Sequence, residues 1–456
     1  MGYIELWRRV SAVTKEKLAL SMVSSTTPRL HDDYALKLTS DGRAHMRKVI
    51  KRLQTSEKFS FTLAEFFAQM CALVYESNKV LEEILRRWGR DFEFTRFGRD
   101  GCCIMAIWSV EHKFVVLIFK GTGLLDLSEW LTDFSLRKTS PKNGVLPGLV
   151  HSGFFSGFGF PNVDMVRRKR KTPTTFDLDK MLEATWLNSC GSMKDDDFWG
   201  TSLLPHLWQI VKKFDGTPKP HLWITGHSLG AATASIFTAM ILWRRSKVGA
   251  NSPVENIEWD ETFILRGTYT YGTPRTGDTD YRAAIQTVLR DRYGRFKMRD
   301  QPQYQFHRII NANDIVATLP GGPGISELGT FFRKTKATTH FNRHSGRYER
   351  GNGKPASLTL IDFQHIGTPH LIEYRTGGRH VRERHLGFVL FNAMQEFVRG
   401  IPEAFKQPTI AGKAFALAAT FVPGVMFFRD HMLSEYVLNL EECRKRNAQC
   451  KPPPQI

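Results

Sequence analysis

The sequence predicts an α/β protein: a mostly parallel central sheet flanked by helices, with a helical N-terminal extension and insertions. Three observations predict it. Short apolar runs that end in turn residues recur at 104–108, 114–119, 222–225, 268–271 and 306–311. Stretches with apolar residues three and four apart occur at 59–88, and further helical stretches lie at 231–243 and 281–289. Strand and helix alternate through the middle of the chain, as expected where helices cover a sheet.

Residues 1–60 are basic and lack a strand signal, so they read as the helical extension, with Arg8, Arg9, Lys15, Lys17, Arg47, Lys48, Lys51 and Arg52 on it. The segment 59–88, FSFTLAEFFAQMCALVYESNKVLEEILRRW, predicts amphipathic helices. The runs 104–108 and 114–119 flank Glu111-His112-Lys113, a hairpin turn. Just before them, adjacent Cys102 and Cys103 would point to opposite faces of a strand. The main domain reads as 61–440, followed by a tail at 441–456. Insertions are expected at about 161–190, which holds the basic tract RRKRK, and at about 321–357. The longest apolar run, AFALAATFVPGVMFF at 414–428, falls short of the roughly 20 residues a bilayer span needs. Pro423-Gly424 interrupts it, so it reads as a buried or interfacial segment.

Composition narrows the classes. The chain has 456 residues, 41% hydrophobic and 24% charged, which excludes a disordered chain, a collagen-like fibre and a polytopic membrane protein. The formal net charge of +19 fits an anionic partner, nucleic acid or an anionic membrane surface. Its basic residues are dispersed and no nucleic-acid-binding signature is present, which argues against nucleic acid. Six scattered cysteines, with no CxxC pair and no zinc-like spacing with histidine, read as free thiols suited to a reducing compartment. The opening MGYIELWRRVSAV carries charge early and has no long apolar core, so it does not read as a secretory signal, and the protein is expected inside the cell.

The informative stretch is HLWITGHSLGAA at 221–232, which contains G-x-S-x-G. A strand-like run precedes it and an Ala-rich helix follows, the context a nucleophile elbow requires. The glycines leave room where a Cβ would obstruct a sharp strand-to-helix turn. Ser228 then sits at a helix N-terminus, where free N–H groups and the helix dipole favour a developing anion. A serine hydroxyl is a weak nucleophile unless a histidine takes its proton and a carboxylate orients that histidine. Asp314, in FHRIINANDIVATLP at 306–320, follows a strand and is the expected acid.

These motifs carry a resemblance. GHSLG, FKGTG after a strand, VHSGF, YTYGTPRTGD and NDIVATLP occur in the order found in class 3 lipases, which the chain resembles from about Phe66 to Leu440. Within that family it is most similar to the intracellular oil-body type, through LVYE at 73–76, FQHIG at 363–367, VPG at 422–424, Asp430-His431 and Tyr436-Val437. The resemblance implies an α/β-hydrolase fold and a serine hydrolase acting on lipid esters through an acyl-enzyme, with no metal and no cofactor. Thr122 of Lys120-Gly121-Thr122 and Leu229 would give the oxyanion-hole N–H groups. Here Lys120 stands where arginine is commoner in the family, and Gly123 where the oil-body type often has an acidic residue. The segment GLLDLSEWLTD at 123–133 falls where the family carries its lid, with Leu124, Leu125, Leu127, Trp130 and Leu131 as its apolar set.

Two histidines compete for the base. His431 fits the D-H-x(4)-Y ending of the oil-body type and is preferred; His385, in RHLGF, resembles the H-L-x-Y-F pattern of secreted fungal members and is the alternative. His227 is expected to pack or bond locally, away from Ser228. The implied partners are a lipid ester and an anionic membrane or lipid-droplet surface. A phospholipase A activity, or a lipase-like binding protein without catalysis, are the competing functions.

Overall fold

The structure, a computed structural model, describes residues 40–76, 78–89, 91–99, 102–121, 138–141, 146–156, 158, 203–246, 262–290, 304–311, 314–319, 339–342, 347–350, 363–372, 431 and 433–449. Helices α1 (Ser40–Thr55), α2 (Phe61–Leu73) and α3 (Asn78–Trp88) precede strands β1 (Phe92–Arg99), β2 (Cys102–Ser109) and β3 (Phe114–Phe119). A short pair, β4 (Lys138–Thr139) and β5 (Val150–His151), is followed by helices α4 (Ser152–Ser156) and α5 (Leu204–Lys212). Next come β6 (His221–His227), α6 (Leu229–Ser246), β7 (Ile264–Tyr271), α7 (Thr279–Arg290) and β8 (Gln305–Asn311). After a 3-10 turn at Val316–Thr318 come the hairpin β9 (Thr339–Asn342) and β10 (Arg347–Arg350), then β11 (Thr368–Ile372) and helix α8 (Leu433–Gln449).

The central sheet runs β1-β2-β3-β6-β7-β8-β11 among the described residues. The first three strands form an antiparallel meander, and β3, β6, β7, β8 and β11 are parallel. This is the mostly parallel, helix-flanked sheet that the sequence predicts. Strand β3, FVVLIF, is buried at every position because helices cover both faces. Val115, Leu117, Phe119, Leu222 and Ile224 face a core shared with α4 to α7. Phe114, Val116, Ile118, Trp223, Tyr269 and Tyr271 face a second core shared with α1, α2, α3 and α8. Cys102 joins the first core and Cys103 packs against the second, the alternation expected of neighbours on a strand.

Two strands of the central sheet carry no signal in the sequence reading, and both lie at its described ends. Among the described residues β1, FEFTRFGR, pairs on one side only, and β11, TPHLI, tolerates Pro369. Helix α2 also differs from the amphipathic expectation. It is buried almost all round, from Leu63 to Leu73, because it lies between the sheet and α8. Ser60 caps its start, its hydroxyl accepting from the Leu63 N–H at 3.5 Å.

Residues on both sides of position 60 pack on the sheet. Met46, Val49 and Leu53, three and four apart on α1, enter the second core. The Trp223 indole N–H donates to the Leu53 carbonyl at 2.9 Å, and the Gln305 amide donates to the Ser56 carbonyl at 2.8 Å. Helix α8 likewise runs unbroken across position 440, burying Tyr436, Leu440 and Cys443 on one face. Arg444 on α8 pairs with buried Glu65 on α2 at 2.5 Å.

Among the described residues Cys71, Cys102, Cys103 and Cys443 form no disulfide; Cys190 and Cys450 lie outside them. Burial pushes the Cys71 thiol up to about 12, which leaves it unreactive. No helix among the described residues is long and apolar enough to cross a membrane, and 414–428 lies outside them. The same holds for 161–190 and for most of 321–357, of which β9 and β10 are described.

Three imidazoles held neutral by the fold make stability acid-sensitive. Burial, aided by Arg266 and Lys113, lowers His221 from 6.5 to about 4, and burial drives His227 and His365 well below 6.5. His221 accepts from the Arg266 Nε–H at 3.0 Å, a bond that protonation would break. Each histidine binds its proton more readily in the unfolded chain. Their contribution is therefore complete above 6.5 and is lost as the pH falls toward the lower folded values. Thermal unfolding followed by circular dichroism is expected to show a falling Tm from about pH 6.5 to about pH 5, before ordinary carboxylates titrate. A flat Tm over that interval would contradict these assignments.

Candidate active site

The carboxyl ends of β3, β6, β7 and β8 converge, and the segments leaving them build the site, as is usual for open α/β sheets. Ser228 occupies the single residue between β6 and α6 and has φ 59, in the left-handed region that costs a non-glycine residue about 1–3 kcal/mol. The conformation is held by its surroundings. The Ser228 N–H donates to the Tyr271 carbonyl at 3.0 Å, and its carbonyl accepts from Ala231 and Ala232 at 3.0 and 3.1 Å. Both elbow glycines are sterically required. A Cβ on Gly226 would meet the Gly230 carbonyl, and one on Gly230 would meet the Phe119 carbonyl at the end of β3.

Asp314 follows β8, and its N–H donates to the Asn311 carbonyl at 2.8 Å. Its carboxylate is fully buried and triply engaged. Oδ1 accepts from the Val316 N–H at 2.9 Å, Oδ2 accepts from the Tyr436 hydroxyl at 2.6 Å, and both face His431 Nδ1, at 3.0 and 2.9 Å. A carboxylate accepts only, so Nδ1 carries a proton and Nε2 is the nitrogen left outside this bond. His431 is 3% exposed and stands two residues ahead of α8. Gly272, φ 56, makes room for the pair: a Cβ there would come within 2.6 Å of both Asp314 Oδ2 and His431 Cε1.

Ser228 and His431 border the same stretch, Tyr271-Gly272. Ser228 bonds to Tyr271, the residue before Gly272, and His227 Nε2 lies 2.7 Å from the His431 carbonyl. Ser228 Oγ and His431 Nε2 are both buried and make no hydrogen bond. Nucleophile–base contacts are often long in unliganded enzymes and tighten around substrate. Leu229 opens α6, so its N–H is among the helix-start donors with no partner inside the helix. Gly121 runs beside the elbow: a Cβ on it would lie 2.5 Å from the His227 carbonyl and 3.4 Å from Ser228 Cβ.

The structure thus brings Ser228, Leu229, Asp314 and His431 to one place. Thr122, the lid set Leu124, Leu125, Leu127, Trp130 and Leu131, and the alternative base His385 lie outside the described residues. Sequence reasoning gave no role to Tyr436 or Gly272, and it expected His227 to bond locally, whereas the His227 ring reaches the His431 carbonyl 204 residues away. Tyr436 appeared only as the end of a pattern, Gly272 only inside the TYGTPRTGD motif, and the long reach of His227 had no local signal. Among the described residues, Asp91, Glu111 and His112 could hold a metal ion, with ligand atoms within 4.8 Å of one another. They cluster at the β2–β3 turn, at the opposite end of the strands from Ser228.

Tyr436 joins three parts of the site, since its hydroxyl donates to Asp314 and accepts from the Asn311 N–H at 3.1 Å. Replacing it with phenylalanine leaves that N–H and one carboxylate oxygen without this buried partner. The expected loss is about 1–3 kcal/mol in chemical unfolding. An unchanged unfolding midpoint would show that the hydroxyl contributes nothing.

A family model described as lipase (class 3) matches residues 116–323. A protein of Arabidopsis thaliana called triacylglycerol lipase OBL1 is 26% identical over 340 residues, covering 70% of this chain and 59% of its own. A protein of the same name from Ricinus communis is 24% identical, covering 54% of this chain and 44% of its own. The chain spans about half the length of the curated relatives it matches. Among solved structures, the Rhizomucor miehei lipase propeptide complex is similar at 16% identity, covering 70% of this chain and 69% of that one, with a TM-score of 0.37. Over residues 116–323 the chain is thus similar to the class 3 lipase family.

Proposed function

We propose that the protein is a serine hydrolase that cleaves carboxylic esters of lipids. The observation that carries this reading is the buried His431–Asp314 pair beside a serine held in a strained strand-to-helix turn. In the proposed reaction Ser228 attacks the acyl carbonyl while His431 Nε2 takes its proton. Asp314 keeps the imidazole in the required tautomer and stabilises the imidazolium that forms. The Leu229 N–H at the start of α6, together with Thr122, binds the oxyanion. Donors of this kind are typically worth about 10²–10³ in rate each. His431 then returns the proton to the leaving alcohol, and water attacks the acyl-enzyme by the same route to release a fatty acid.

Acylglycerol is the proposed substrate class, a reading supported by the relatives called triacylglycerol lipase. The segment 123–133, through its apolar set, would cover the site in water and spread on lipid. The net charge of +19 would draw the protein to an anionic membrane or lipid-droplet surface inside the cell, an attraction that salt weakens. The test is an activity panel of tri-, di- and monoacylglycerols and phospholipids on purified protein. Fatty acid release from the acylglycerols is expected. Release from phospholipid alone would move the assignment to a phospholipase A, and release from none would leave a lipase-like binding protein.

A further inference from the structure

We propose that His227 is a positioning residue for His431: from the end of the strand that leads into Ser228, its Nε2–H holds the main chain of the base in place. The inference rests on the triad reading above. His227 Nε2 lies 2.7 Å from the His431 carbonyl oxygen across a sequence separation of 204 residues. A carbonyl can only accept, so this nitrogen carries the proton and Nδ1 keeps a lone pair. The two rings pack against each other in a tilted arrangement, with centroids 4.5 Å apart and planes inclined by 32°, and Tyr436 packs edge-on against His227.

His431 precedes α8, and the downstream anchors of that helix are Tyr436 on Asp314, Asn439 on Asn311 and Arg444 on Glu65. None of these grips His431 itself. Its two described hydrogen-bonding anchors are Asp314 on Nδ1 and His227 on the carbonyl. One bond fixes the far side of the ring and the other fixes the backbone that carries it. Together they set the direction of Nε2, the atom that must meet Ser228 Oγ. Misplacement by about 1 Å at such a site can cost about 10² in rate.

The charge state suits the role. Burial, and then the neighbouring His431, keep His227 well below the ordinary histidine value, so it stays neutral. A neutral ring at this distance does not oppose the imidazolium that His431 becomes when it accepts the serine proton.

The test compares His227→Phe, which keeps an aromatic ring and removes the donor, with His227→Gln, whose amide nitrogen reaches about as far as imidazole Nε2. Hydrolysis of a soluble p-nitrophenyl ester by the full chain is read as kcat and KM. Phenylalanine is expected to lower kcat about 10–100-fold with KM within about twofold, and glutamine to restore most of the loss. Nitrogen-15 spectra of histidine-labelled protein are expected to show His227 as the neutral Nε2–H tautomer from about pH 5 to 8. They should also show the His431 resonances displaced in the phenylalanine variant. A wild-type kcat in that variant, an Nδ1–H tautomer of His227, or unmoved His431 resonances would each overturn the proposal. So would loss of folding in both variants, which would make the residue a structural one. If the wild type turns over no ester, the triad reading fails, while the His431 resonances still decide whether His227 positions that ring.

Discussion

Replacing Ser228 with alanine is expected to reduce ester hydrolysis by about 10⁵–10⁶-fold, the scale seen when the nucleophile of a serine hydrolase is removed. The fold should not suffer. Ser228 Oγ is buried without a hydrogen-bond partner, so alanine gives up no bond and relieves an unsatisfied polar atom. Alanine also inherits the same left-handed backbone at no greater cost, since the strain arises from Cβ and not from the hydroxyl. A Tm equal to or slightly above that of the wild type is expected, as at sites where activity is kept at the expense of stability. Steady-state kinetics and thermal unfolding on the same preparation check both halves. Wild-type turnover by the variant would remove Ser228 from the mechanism.

The second large effect is on the base. His431→Ala is expected to lower kcat by at least about 10⁴-fold, because the serine loses its proton acceptor. Asp314 would keep the Tyr436 hydroxyl and the Val316 N–H, so its carboxylate would remain solvated by the protein and the chain should still fold. His385→Ala is expected to retain turnover within a fewfold of the wild type. The opposite result, an active His431 variant and a dead His385 variant, would transfer the role to the histidine of the secreted fungal pattern.

Residue order alone made much of this legible. The elbow could be read because its glycines are demanded by backbone contacts within a few residues and with the neighbouring strand, so the requirement shows as a motif. The sequence singles out Asp314 and His431 by their neighbours as the expected acid and base, and their side chains stand 2.9 Å apart. The interior strands β3, β6, β7 and β8 declare themselves because each is buried along nearly its whole length and carries a short apolar run, unbroken in β3. The end strands β1 and β11 did not, since partial pairing tolerates arginine, glutamate and proline. Helix α2 reads as amphipathic but is enclosed, because the helix that covers its outer face comes from the far end of the chain. His227 escaped for the same reason: its partner lies 204 residues away, and no local pattern encodes that distance. A helix at the edge of the basic N-terminal stretch also hid its packing role. Its charges dominate the composition, whereas the spacing of Met46, Val49 and Leu53 decides where it sits.

The most direct test of the central claim is covalent labelling with a fluorophosphonate, which reports an activated serine without any choice of lipid. Intact-mass measurement and peptide mapping of the full chain are expected to find one phosphonyl adduct, on the peptide carrying Ser228. It should be absent from Ser228→Ala and formed at least about 10³-fold more slowly in His431→Ala. A folded wild-type protein that takes up no label, or takes it up at another residue, would contradict the account.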